Sequence, residues 1–413
     1  MKISVFGLAF LMLVVSTGGA IAGENFSMGG SVGAISINNQ MWYRVALQPT
    51  FKLFGKLKAA FNLSLTWNDT EGIKPWQAED WANLILYIQW AEKGERPLYF
   101  RIGDLQTATL GHGFIVNRYS NMNRRAYENG WRNIGVEFDL DMDKYGVESI
   151  FNNILDISMV GVRPFGRPFK IFGADIPILN ELAVGISYAT DLQTGTYVDT
   201  TNVVMGPQVQ ILGADIDLPI IKKLLIYYID WATLLTQTKG NGWTTGFMGG
   251  AAMDFFSLDY RFEYRNIGAD FSPQFFDTYY EMGKPKFLSS SKERYNGWYG
   301  ELNIGLFRAV CILVSYEDMF RDSMKLEGRP WLHAGLTLNE NLFSITRQRI
   351  SIGADYDHKN LDKGRIEDQI IQGRISYGVS ENVDIVYVYT QRYIPGTPPV
   401  PIRSTSIETR LHF

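Results

Sequence analysis

Cysteine is almost missing from this chain. Cys311 stands alone among 413 residues, so no internal disulfide can form. In an oxidising compartment the fold must then take its stability from another source. Histidine is scarce too. His112, His333, His358 and His412 are the whole complement, and none lies at metal-ligand spacing from another histidine or from the cysteine. No metal site and no cofactor are expected. There is no block of lysine and arginine, and the formal charge is −4, so nucleic acid is not an expected partner. Beyond the N-terminus no stretch approaches 18 uninterrupted apolar residues, which excludes membrane-spanning helices. No linker, low-complexity block or fixed-period repeat divides the chain, and one domain is expected despite its length.

The N-terminus reads as a signal peptide. Lys2 supplies the positive charge, Ile3 to Val15 the short apolar core, and Ala20-Ile21-Ala22 an A-x-A cleavage pattern. The expected division is a leader over 1–22 and the mature chain over 23–413. The alternative is an uncleaved anchor. No cysteine follows the apolar core, so a lipid-anchored start is not expected.

What the chain has in plenty is alternation. From Leu57 to Asn68, the residues Leu57, Ala59, Phe61, Leu63, Leu65 and Trp67 share one face of a strand. Lys58, Asn62, Ser64, Thr66 and Asn68 share the other. A helix would scatter these positions around a cylinder. Phe256, Leu258, Tyr260, Phe262 and Tyr264 repeat the pattern, with Asp259, Arg261, Glu263 and Arg265 opposite. Such charges cannot face lipid, and a dry core would penalise each of them. A wet or polar-filled lumen accommodates them. The mean hydropathy of −0.09 fits a wall with one greasy and one polar face, and the 14% aromatic content fits girdles at two interfaces. A soluble secreted β-sandwich, barrel or solenoid is the competing fold.

Short and long connections also alternate. Gly55-Lys56, Glu92 to Pro97, Asp141 to Gly146, Lys222-Lys223 and Ser380-Glu381-Asn382 read as short turns. Longer connections are expected at Asn68 to Glu79, Gln106 to Arg132, Gln193 to Pro207, Ile267 to Tyr295, Arg321 to Arg329, Asn360 to Glu367 and Ile394 to Ile402. About 16–20 strands fit between them, with 20 preferred. The stretch from Asp141 to Arg163 is the hardest to divide.

The chain stops on one more alternating run. Thr405, Ile407, Thr409, Leu411 and Phe413 lie on one face, and Ser404, Ser406, Glu408, Arg410 and His412 on the other. Together with the leader and the repeated strands, this terminal aromatic resembles the assembly signal of bacterial outer-membrane β-barrel proteins of the porin kind. The resemblance implies an all-β fold: a single transmembrane antiparallel barrel with short periplasmic turns and long extracellular loops. It implies outer-membrane lipid and the barrel assembly machinery as partners, the latter reading Phe413. It also implies a pore for passive diffusion of small hydrophilic solutes, which is not an enzyme and could form a homo-oligomer. No N-terminal plug with an Asn-Pro-Ala motif is present, unlike fatty-acid transporters of the outer membrane, and the chain is too short for a plugged, energised receptor.

On that reading Arg101, Asp259, Arg261, Glu263, Arg265, Glu301, Arg349, Arg374, Glu408 and Arg410 line the lumen, where charges of both signs would select solutes. The segment after Leu105 is long, rich in Asn and Arg, and carries an apolar centre at Phe114-Ile115-Val116. In porins a long early loop folds into the lumen. By resemblance this is the candidate constriction, with Arg118, Asn121, Arg124 and Arg125 as its lining. An exposed outer loop is the alternative. Gly111-His112-Gly113 lacks the Lys-Ser/Thr of a phosphate loop. Ser120, His112 and Asn117 can be drawn as a hydrolase, but no G-x-S-x-G elbow exists. Tyr279-Tyr280-Glu281 is expected in the longest outer loop, as girdle or surface-binding aromatics. A non-conducting barrel working through its outer loops is the second functional reading, and a barrel hydrolase the third.

Overall fold

The computed structural model describes residues 26–412, apart from 38–39, 69–71, 74–83, 123–132, 175, 195, 198–202, 205–207, 236–238, 282–292, 321–327, 347–348, 366–367, 381–382 and 395–399. The expected leader, Phe413, Arg124 and Arg125 lie outside the described residues.

The chain forms one antiparallel meander. Its first wall strands are β1 (Phe26–Ile37), β2 (Gln40–Leu53) and β3, which runs in two pieces, Leu57–Phe61 and Leu63–Asn68. Then follow β4 (Ile85–Trp90), β5 (Leu98–Gly103), β6 (Gly135–Asp141), β7 (Tyr145–Phe151), β8 (Met159–Gly166) and β9 (Ala183–Asp191). The middle of the wall is β10 (Val209–Ile221), β11 (Leu225–Leu234), β12 (Asn241–Ala252), β13 (Phe256–Ile267), β14 (Tyr295–Leu306) and β15 (Val310–Met319). The last strands are β16 (Trp331–Leu338), β17 (Ile350–Lys359), β18 (Gln369–Ser380), β19 (Val383–Ile394) and β20 (Val400–His412). Each pairs with the next, and β20 pairs back onto β1 from Gly29↔His412 to Ile37↔Ser404. The described residues thus give twenty wall positions in an all-β barrel, the preferred count, and the β1–β20 pairing leaves neither of these strands as a free edge.

Period-2 side-chain geometry explains the wall. In β9, Ala183, Gly185 and Ser187 are buried while Val184 and Ile186 are exposed. In β13, Phe262 and Tyr264 are exposed while Arg261, Glu263 and Arg265 are buried. The outside is greasy and the inside is charged, the reverse of a soluble protein. Aromatics of neighbouring strands touch on that outer face. Trp243 and Tyr264 have ring centroids 5.5 Å apart, and Trp298 and Tyr316 are 5.4 Å apart.

The short turns fall where the alternation breaks, as at Phe54–Lys56 and Lys222–Leu224. Two connections at this end are longer than the pattern suggested. Residues 167–182 contain a helical turn, α1 (Pro168–Ile171), and a 3-10 turn, Leu179–Glu181, and residues 339–349 contain the 3-10 stretch Glu340–Thr346. The expected single strand from Leu57 to Asn68 is interrupted at Asn62, whose backbone N–H turns to Leu84 instead (2.7 Å). The hydrophobic core lies inside the barrel. It joins Leu105, Leu110, Phe114, Ile115, Val116 and Tyr119 to Phe271, Phe275, Phe276 and Tyr280, against wall residues such as Ile150, Met159 and Ile211.

Candidate functional site

Two connections turn inward and pair with each other. Residues 105–121 fold back on themselves, with mutual backbone hydrogen bonds between Ala108 and Tyr119 (3.0 and 2.8 Å). Residues 268–281 lie alongside: Val116 and Phe276 form a parallel bridge, Asn117 N–H donates to the Phe276 carbonyl (3.0 Å), and Gln274 N–H donates to the Phe114 carbonyl (2.8 Å). This internal strip satisfies backbone groups that burial would otherwise leave unpaired. The apolar centre Phe114-Ile115-Val116 packs in one cluster with the wall residues Ile150, Met159 and Ile211. The second segment departs from expectation. Tyr279, Tyr280 and Glu281 do not form an exposed outer loop. Tyr280 is buried and donates to Asp191 (2.8 Å), Tyr279 bonds to Asp357, and Tyr119 bonds to Glu281.

Polar contacts hold the strip to the wall. Gly111 N–H donates to Glu148 Oε2 (2.7 Å). His112 Nδ1 lies 2.8 Å from Asp230 Oδ1, and its ring stacks on Tyr228 at 4.4 Å. Burial disfavours charge on His112, but the Asp230 carboxylate outweighs it and moves the imidazole above its usual range. Asn121 is a clamp. Its Oδ1 accepts from Leu105 N–H (2.9 Å), and its Nδ2 donates to the carbonyls of Gly103 (3.2 Å), Asn133 (3.0 Å) and Asn152 (3.1 Å). The sequence suggested Asn121 as lining; at 1% exposure it is an anchor.

Next to the strip runs a chain of alternating charges. Arg261 and Arg265 both donate to Glu263 (2.5 and 2.6 Å), Arg265 also reaches Glu317 (2.7 Å), and Arg329 closes on the same carboxylate (2.8 Å). Tyr228 donates to Glu263 (2.5 Å), and Arg265 lies 4.4 Å from the Tyr299 ring centroid. Arg261, Glu263 and Arg265 of β13 thus face inward but are covered and paired, not bathed in an open lumen. Glu317 and Arg329 were not singled out from the sequence; their partners lie in other strands and no local pattern marks them.

The other expected lining residues are spread around the wall. Glu301 is half-buried and accepts from Tyr299 (2.7 Å). Arg101 is half-buried and donates to Gln89 Oε1 and the Asp104 carbonyl (2.8 Å each). Asp259 and Arg374 are exposed. Arg349 sits just before β17 and pairs with Asp384. Glu408 and Arg410 belong to β20, with side chains outside the described residues. Among the described side chains, these residues are not gathered into one ring.

A cleft remains where the strip meets β14 to β17. Asn117, Arg118, Gln274, Tyr299, Trp331 and His333 are among its walls, and it has room for about one water molecule. Arg118 Nη1, Gln274 Nε2 and His333 Nε2 are buried there with no hydrogen-bond partner among the described residues. Arg118 and Gln274 also have left-handed backbones, with φ of 51° and 54°. Non-glycine residues adopt this conformation at a cost of order 1–3 kcal/mol, so the surrounding packing must impose it. Ser120, His112 and Asn117 form no triad: His112 is committed to Asp230, and Asn117 faces the cleft.

Against known proteins, no protein-family model matches this sequence and no curated protein shows significant similarity. Among solved structures it is similar to Pseudomonas aeruginosa OccK11 (OpdR), at 8% identity over 94% of this chain and 95% of the other, TM-score 0.39. The outer membrane protein OpdK from the same organism gives 7% identity over 94% and 98%, TM-score 0.35. A variant of Rh. blastica porin gives 10% over 94% and 99%, TM-score 0.28. The barrel assignment rests on the strand pairing of this chain itself.

Proposed function

We propose that this protein is an outer-membrane pore for passive diffusion of small hydrophilic solutes. The observation that carries the reading is the ring of twenty antiparallel strands with an apolar outside and a charged inside. Apolar side chains such as Ile186, Phe262 and Trp298 need lipid around them. A barrel of this size is too wide for wall side chains alone to fill. The two inward segments narrow it, and the unpartnered donors at the cleft make part of that constriction polar. The apolar outer wall fits insertion into the bacterial outer membrane. No covalent step is part of this function.

A non-conducting barrel is the second reading, favoured by the buried charges of β13 and the apolar packing of the strip. Planar-bilayer recording of the purified, detergent-folded chain separates the two. Discrete, voltage-stable openings are expected from the pore. Silence from protein that keeps its barrel spectrum and its heat-sensitive gel mobility would leave the second reading.

A further inference from the structure

The strip meets β10 and β11 at a cluster that nothing in the pore reading uses. His112 at the strip's tip, Asp215 on β10 and Asp230 on β11 each offer one ligand atom, and these atoms lie within 4.8 Å of one another. They line one small cavity with Ser187, Gly213 and Trp231. Asp230 is 4% exposed, and its Oδ2 has no hydrogen-bond partner among the described residues. A buried carboxylate oxygen without a partner is expensive.

The charges around the cavity do not balance. Glu148, Asp215, Asp217 and Asp230 are four carboxylates. Facing them are Arg163, which bonds Asp215 (2.8 and 2.5 Å) and Glu148 (2.9 Å), and His112; Arg167 is mainly committed to Asp141 (2.9 Å) and Lys93 to Glu137. Even with His112 protonated, negative charge is in excess. Arg163 does not spend Asp215, because each carboxylate oxygen keeps a second lone pair. Metal-bound carboxylates are usually oriented by such an outer partner, and the stack on Tyr228 orients His112 in the same way. One imidazole and two carboxylates suit zinc and its transition-metal neighbours. Calcium wants six to eight oxygens, more than these residues supply.

We propose that His112, Asp215 and Asp230 bind a divalent transition cation, zinc above all, which ties the inward strip to the barrel wall. The site joins residues 103 and 118 positions apart, so no sequence spacing could reveal it. Binding exchanges the proton on the ligating nitrogen of His112 for the metal and releases it to solvent. The proposal needs the barrel but not conduction, so it stands or falls apart from the pore reading.

The test is zinc chloride titrated into the full chain, folded in detergent and stripped by chelator, with a chromophoric chelator as competitor. One equivalent should bind. Asp230→Asn, which keeps the side-chain shape, and His112→Gln should weaken it by about tenfold or more. Asp254→Asn, at an exposed turn, should not. No bound equivalent, or equal affinity in Asp230→Asn, overturns the proposal. Should the variants fail to fold, cobalt(II) on the unaltered chain decides. A visible d–d band abolished by one equivalent of zinc supports the site, and its absence overturns it.

Discussion

The two halves of β13 behave differently although they share one pattern. Near the short turn, Asp259 faces inward and is exposed, its closest polar partner being Asn303 at 3.3 Å. Two to six residues further along, Arg261, Glu263 and Arg265 face the same way and are buried under the strip. β17 repeats the contrast, with Asp355 exposed and Asp357 buried. The short-turn half of the interior is wet and the long-loop half is packed. Alternation decides which way a side chain points, while a connection far off in sequence decides what it meets there.

The largest effect should come from breaking the packed half. Glu317 is held by both Arg265 and Arg329, all of them essentially inaccessible. Glu317→Gln leaves two buried guanidinium groups without their shared anion, a loss of about 3–5 kcal/mol. Urea unfolding in detergent should show it. Asp259→Asn, on the same inner wall, should change stability by no more than about 0.5 kcal/mol. Equal effects would erase the contrast between the halves.

A smaller loss is expected from the clamp. Asn121→Ala strands the carbonyls of Gly103, Asn133 and Asn152 inside the barrel, a penalty of about 1–3 kcal/mol. The strip should loosen before the wall does. Limited trypsin digestion should then cut at Arg118 while the barrel spectrum survives; unchanged protection would show that the strip does not depend on this side chain.

The smallest effect belongs to the turns. The Asp143 carboxyl titrates below its usual range, first because Lys170 donates a hydrogen bond to it and then through the charges of Lys170 and Arg96. An acid whose pKa is depressed on folding contributes stability above the unfolded value, about 3.9, and loses it as pH falls through the lower folded value. Asp143→Asn should therefore alter acid unfolding below about pH 4 and little at pH 7. Because the turn is solvent-exposed, 1 M salt should remove most of the difference. A salt-independent effect would mean that this turn is as enclosed as the packed half.

Much of this fold could be read from single residues. The alternation of Leu57 to Asn68 and of Phe256 to Arg265 assigned faces correctly, and the preferred strand number matches the pairing. The break at Asn62 was not legible, because it depends on Leu84, just ahead of the next strand. Nor was the inward turn of residues 268–281, since Tyr279, Tyr280 and Glu281 find their partners at Asp357, Asp191 and Tyr119. Phe114-Ile115-Val116 did signal burial, because three apolar residues in a polar loop need a surface. His112 carried no such signal, since its meaning lies in Asp230, 118 residues away.

The central claim is that residues 105–121 narrow a conducting barrel. Single-channel recording of the native chain beside a variant with 111–116 replaced by a short Gly-Ser link tests it most directly. The shortened strip should give openings severalfold larger than the native ones, with the barrel spectrum unchanged. Equal conductance from both, or no current from either folded protein, would contradict it.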